Sequence, residues 1–211
     1  MPQDELGISV LKSAYSSEAK DLTVEWGQFG LEALLSEGAL KDAPMLGTVV
    51  KLCTVTKTIR DQLFVQKVWD FLRACPKFND LEKLGFVREH LDDPHKAKKL
   101  GNAIVLMLDK LDDLEKTEML AKMFAALVRK QIDYSDFRRL AAGVDRAFIE
   151  DLKILAAQPP RPEHNMEQFL RLLEPAGFVH TGGGISRGGA HGTRTDISSL
   201  GKLFQKCMWE T

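Results

Sequence analysis

The chain has 211 residues, with 29 basic against 30 acidic side chains, a net charge of −1 and 44% hydrophobic residues. A chain of this length buries about two thirds or more of its unfolded surface, so neither a disulfide lattice nor a metal is needed to hold a core. Charged residues at 28%, with 16 Gly and 8 Pro, exclude collagen, coiled-coil fibre and wholesale disorder, and the near-zero total excludes a global field aimed at polyanions.

In chain order, the opening MPQDELGISVLKSAYSS lacks the basic start and apolar run of an export signal and reads as a polar start. A short helix, Glu18–Glu37, is expected next, with Leu22, Trp26, Phe29, Leu31, Leu34 and Leu35 as an imperfect stripe. Gly27, Gly30 and Gly38 weaken it, so it needs a surface to lie on. Pro44 and Gly47 mark the next break. Residues 1–40 carry two basic and seven acidic side chains, a balance of −5, and residues 41–75 carry six and three, a balance of +3. Opposite signs favour internal pairing or separate partners; two solvated faces that never meet is the bland alternative.

From Leu46 to Cys75 apolar residues recur at helical spacing, with Lys51, Lys57, Lys67 and Arg73 on the polar face and Trp69 near one end. An interfacial membrane helix has this composition. So does a core-facing helix of a soluble bundle, which is the commoner case. Residues 47–58 are rich in Thr and Val and convert to extended forms more readily than a Leu/Ala/Glu helix does.

The spacing over 76–158 predicts four helices: Asn79–Leu91; His95–Asp112, after Asp93-Pro94; Leu114–Lys130; and Ser135–Gln158, capped by Asp133 or Ser135. Short connections force antiparallel neighbours and hence a compact bundle. Pro159, Pro160 and Pro162 close this region. Met166–Leu173 reads as a short helix and Phe178–Thr181 as a strand. The stretch from Gly182 to Gly192 reads as a loop with six glycines. Arg194–Ile197 returns as the second strand, and Ser198 or Ser199 caps a last helix. This cadence belongs to the second half of a winged helix, but Pro159–His164 is too short to hold the additional helix of a complete one.

No catalytic signature stands out. The glycine loop lacks the GxxxxGK[ST] spacing and does not lead from a strand into a helix. The carboxylates Asp109, Asp112, Asp113, Glu115 and Glu118 lack the alternation and central glycine of a calcium loop and read as a helix end, a turn and the next helix start. His90 and His95 flank Asp92 and Asp93 without a comparable third metal ligand. Cys53, Cys75 and Cys207 show no CxxC spacing, which suits a reducing cytosol; Cys53 and Cys75 fall on apolar faces as structural thiols. No window is apolar enough for a membrane-spanning helix. As a recognition helix, Glu163–Glu174 sets three carboxylates against Arg171, a poor match to a major groove.

The runs Asp61-Gln62-Leu63-Phe64, Leu108–Lys116, Lys122–Leu127, Gln131–Phe137 and Asp145–Leu152 resemble a bacterial helical family. Leu-Glu-Pro-Ala-Gly-Phe-Val, with Ile-Ser-Ser-Leu-Gly-Lys-Leu-Phe, is similar to the tail of the abortive-infection alpha group. The similarity spans about residues 45–208, and the long glycine hairpin departs from it. The resemblance implies a bacterial or phage-borne defence or superinfection-exclusion factor, with no catalytic residues to carry over.

The expected protein is therefore mainly α: an antiparallel helical bundle over 44–158, between an acidic arm, 1–43, and a winged-helix-like C-terminal α+β element, 159–211, with one β-hairpin. It is expected to be non-enzymatic, without cofactor, metal or small-molecule substrate. It would act by association with a protein, a second copy of itself or an anionic membrane surface, in the cytoplasm or at the periphery of the inner membrane. Lys51, Lys57, Phe64 and Trp69 are the expected contact residues. The alternative is a winged-helix nucleic-acid-binding regulator using Arg187, His191 and Arg194.

Overall fold

In a computed structural model of the chain, the described residues are 3–16, 58–157, 170–185 and 191–209. The helix expected over Glu18–Glu37, the residues Lys51, Cys53 and Lys57, the three prolines and Arg187 lie outside them. The described chain is mainly helical, with one two-stranded antiparallel sheet near its C-terminal end. It divides into two compact units, Met1–Gln131 and Ile132–Thr211. The boundary expected at 158/159 thus lies inside the second unit.

In the first unit the helices are α1 (Gln3–Tyr15), α2 (Ile59–Ala74), α3 (Asp80–Phe86), α4 (Pro94–Lys110) and α5 (Glu115–Val128), with a π-helical turn at Val87–Leu91. The expected polar start is corrected to a helix, α1. Its residues Leu6, Val10, Leu11 and Ala14 are buried, which makes one apolar face, and that face packs on α4. At the crossing the backbones touch: a Cβ on Gly101 would stand 2.5 Å from the carbonyl carbon and oxygen of Gly7, and one on Gly7 would stand 2.6 Å from the carbonyl carbon of Gly101.

The helix starts follow their caps. Asn79 and Glu82 form a reciprocal capping box at α3. The Asp93 side chain accepts from the His95 N–H at 2.8 Å, and Pro94 opens α4. Helix α5 is buried on every side from Met119 to Val128, except for Lys122, so it lies in the core of its unit. Phe124, fully buried, takes the edges or faces of Phe71, Phe78 and Phe86 with ring centroids 5.6–6.4 Å apart. Helix α5 ends with Lys130 at φ 59°. There the Gln131 N–H donates to Ala126 O and the Lys130 N–H to Leu127 O, a Schellman closure built on a residue with a side chain.

The second unit holds α6 (Tyr134–Arg146), α7 (Ile149–Ala156), β1 (Val179–Ile185), β2 (His191–Ile197) and α8 (Ser199–Trp209). The single helix expected over Ser135–Gln158 is broken at Ala147, whose extended backbone (φ −86°, ψ 150°) ends α6. Asp133 is its cap, accepting from the Asp136 N–H at 2.7 Å. The expected glycine loop is also corrected. Gly182, Gly183, Gly184 and Gly192 belong to the ladder, which runs through seven pairs from Val179↔Ile197 to Ile185↔His191. Gly182, Gly184 and Gly192 still supply N–H and C=O groups to it, so hydrogen bonding carries the ladder where side chains do not.

The root of the hairpin is fixed by several contacts at once. Gly177 adopts φ 82°, a region that favours glycine. Ser198 Oγ donates to Gly177 O at 2.7 Å and accepts from the Gly201 N–H at 3.0 Å, capping α8. Phe178 lies beneath, its ring 5.0 Å from Phe204, and a Cβ on Gly143 would meet it at 2.6 Å. Helix α8 is tied to α7 by Gln205 Nε2 donating to Leu155 O and Trp209 Nε1 to Ala156 O. That packing is why α6 and α7 belong with the hairpin.

Candidate functional site

The segment expected to make contacts is described from Thr58 onward. Thr58 Oγ1 accepts from the Asp61 N–H at 3.2 Å and starts α2. Val65, Val68, Trp69, Phe71, Leu72 and Cys75 are buried. Trp69 retains 6% of its exposure, and Phe64 is half-buried. The apolar face of α2 is therefore sealed in the core of its unit, and Trp69 offers no aromatic anchor at the surface.

The opposite side of α2 carries a second, smaller apolar strip, and Leu63, which its spacing groups with the buried stripe, belongs there. Ile59 is 77% exposed and Leu63, one turn later, 48%. The helical period places them on one side, and the signal was present in the i, i+4 spacing. Arg60 pairs with Asp109 of α4 at 3.2 Å, and Lys67 Nζ donates to Asp109 O at 3.2 Å. Burial pulls the Lys67 ammonium below its usual range, against the pull of Asp109 and Asp112. Two cations of α2 are thus committed to the end of α4, one of them in an exposed pair of small energetic weight.

At the far end of α2 lies a cleft of about 330 Å³ lined by Asp70, Arg73, Ala74, Leu114, Glu115, Thr117 and Glu118. Its charges are largely matched internally. Asp70 accepts from Gln66 Nε2 at 3.0 Å and faces Arg73 at 3.6 Å, while Glu118 pairs with Lys122 at 3.5 Å. Thr117 Oγ1 donates to Leu114 O at 2.5 Å, so its hydroxyl is engaged in the helix start. None of these contacts pairs a nucleophile with a base.

The acidic cluster is dispersed among local partners. Asp109 faces Arg60, Asp112 accepts from Lys116 Nζ at 2.6 Å, and Asp113 Oδ1 accepts from the Glu115 N–H at 2.7 Å. The bond from Lys116 holds the Asp112 carboxyl below its usual range. His90 lies in the π-helical turn, its ring 5.1 Å from Phe86, and His95 opens α4. Among the described residues no group of three or more His, Cys, Asp or Glu is placed to hold a metal ion, and no helix is long and apolar enough to cross a membrane. Cys75 and Cys207 are buried, and neither is in a disulfide bond.

The residues expected on the hairpin are separated by the ladder. Arg194 stands opposite Gly182 in mid-strand, and His191 opposite Ile185 at its far end. Of the expected residues that are described, Phe64 and Trp69 lie on α2 of the first unit, and His191 and Arg194 on β2 of the second. Compared with known protein families, curated proteins and solved structures, the chain finds no match.

Proposed function

We propose that the protein is non-enzymatic and acts by association with a protein partner, in the phage-defence setting that its resemblance to the abortive-infection alpha group implies. The observation that carries this reading is the Ile59–Leu63 strip, two large apolar side chains one turn apart on the outward side of α2. Membrane contact through Phe64 and Trp69 has less support. It would require stripping the inner face of α2 from its core, at about 1.5–3 kcal/mol for each large apolar side chain uncovered. The nucleic-acid alternative rests on Arg194 and His191 alone among the described residues, a thin electrostatic footprint.

Bacteria expressing the wild type should plate a susceptible phage at reduced efficiency. An Ile59→Glu/Leu63→Glu variant with unchanged Tm should lose that protection. Absence of protection by the wild type counts against the defence setting, and full protection by the variant counts against the α2 strip. Flotation with anionic vesicles that depends on Trp69 would favour the membrane reading instead.

A further inference from the structure

We infer that the outer edge of β1 is a self-association site, occupied by β1 of a second copy of this chain in an antiparallel pairing centred on Gly184. The starting observation is a pair of hydrogen bonds outside the ladder. The Thr181 N–H donates to Glu174 Oε1 at 3.1 Å and Thr181 Oγ1 donates to Glu174 Oε2 at 3.0 Å. An N–H held by Glu174 points away from β2, so Thr181↔Thr195 is a non-hydrogen-bonded pair of the register. By alternation the backbone groups of Gly183 and Ile185 face the same outer edge, while those of Gly182 and Gly184 face Arg194 and Gly192 of β2.

Glu174 blunts this edge at Thr181. Beyond it β1 itself carries none of the in-strand protections: it reads VHTGGGI, with no lysine, proline or carboxylate, and its register runs without a bulge. Two β1 strands related by a two-fold axis through Gly184 run antiparallel, and Gly183 of each copy meets Ile185 of the other. Both are outward-facing residues, so the contact is self-complementary. The segment from Thr181 to Ile185 carries no charge to repel its copy, whereas β2 carries Arg194 and Asp196. Consecutive glycines also remove the side chains that would hold two backbones apart. An isolated two-stranded hairpin is marginal in water, and this pairing converts it into a four-stranded sheet. The inference is independent of the association assigned to α2.

The test is sedimentation of the full chain over a wide concentration series, with two variants. Gly183→Pro removes an outward N–H and leaves the hairpin ladder intact. Gly184→Lys places two like charges opposite each other at the two-fold axis. A wild-type dimer that weakens at least about tenfold in either variant, with Tm and far-UV circular dichroism unchanged, supports the pairing. A wild type that stays monomeric throughout, or a dimer indifferent to both variants, overturns it. If Gly183→Pro lowers Tm, Gly184→Lys alone decides.

Discussion

Gly7 and Gly101 meet backbone to backbone where α1 crosses α4, with no room for a methyl group on either side. Alanine is the better helix former by about 0.8–1.0 kcal/mol, so propensity alone would favour substitution. Overpacking costs about 1–3 kcal/mol, and here the obstructing atoms are carbonyl groups that cannot rotate aside. Gly101→Ala should therefore lower Tm. Gly85 of α3 is the control: a Cβ there meets Lys130 Cε at 3.2 Å and Nζ at 3.7 Å, the flexible end of a half-exposed side chain. Gly85→Ala should leave Tm unchanged or raise it, and thermal melts of both variants decide.

Phe124 is the hub of the aromatic cluster, with three phenylalanine rings packed around it. Phe124→Ala should cost about 3–5 kcal/mol, and Phe124→Leu less, read as the shift of a urea midpoint at constant slope.

Lys116 is 1% exposed, yet its partner Asp112 is 73% exposed. Removing the partner and removing the buried charge therefore have opposite consequences. Asp112→Ala should destabilise by about 1.5–3 kcal/mol, nearer the lower figure because water reaches the carboxylate. Lys116→Met keeps the length and apolar stem and relieves the desolvation of an ammonium, so it should be neutral or stabilising. A loss of stability in Lys116→Met larger than in Asp112→Ala would refute this ordering.

Much of this was legible in the sequence where a cap and a period agreed. Asn79, Asp93 and Asp133 start their helices as the capping rules require. Helix α1 escaped because its apolar residues Leu6, Val10 and Leu11 are interrupted by Gly7, and only the approach of Gly101 makes that glycine an asset. The break at Ala147 has no glycine or proline to announce it. Glycines 182–184 look like a loop in any local reading, since the strand residues that pair with them lie eight to twelve positions away. The expected contact residues were drawn from a genuine amphipathic pattern, but a pattern of that kind does not say whether its apolar face meets a core or a membrane. Burial of Trp69 answers that only in three dimensions.

His90 sits half-buried against Phe86, 3.7 Å from Glu89, with Tyr15 of α1 packed on the same phenylalanine. Burial first, then Lys96 of α4 and Lys130 at the end of α5, push its imidazole below the usual range, and Glu89 opposes them. A folded-state value below the unfolded one means that the unfolded chain binds the proton more tightly. Stability from this group is thus complete above the unfolded histidine value of about 6.5 and falls as the pH drops through it. Glu89 is itself lowered by its bond from Lys130, but its loss comes at more acid pH, in the carboxylate range. His90→Gln should flatten the decline of Tm between about pH 7 and pH 5; an unchanged decline would place its origin elsewhere.

Asp151 provides the opposite sign. It lies in the first turn of α7, where the helix dipole favours a carboxylate by about 0.3–1 kcal/mol, yet it is only 6% exposed. Burial first, and then Glu150, raise its carboxyl above the usual range. Desolvation and the neighbouring carboxylate thus act against the dipole at this position. A raised folded-state value makes the folded chain bind the proton more tightly, so stability falls as the pH rises from the unfolded carboxylate range through the folded value, and the penalty is complete at neutral pH. Asp151→Asn removes the charge while preserving shape. It should raise Tm near pH 7 and converge with the wild type below about pH 4, where both side chains are neutral. A lower Tm for Asp151→Asn near neutral pH would show that the dipole term prevails despite the burial.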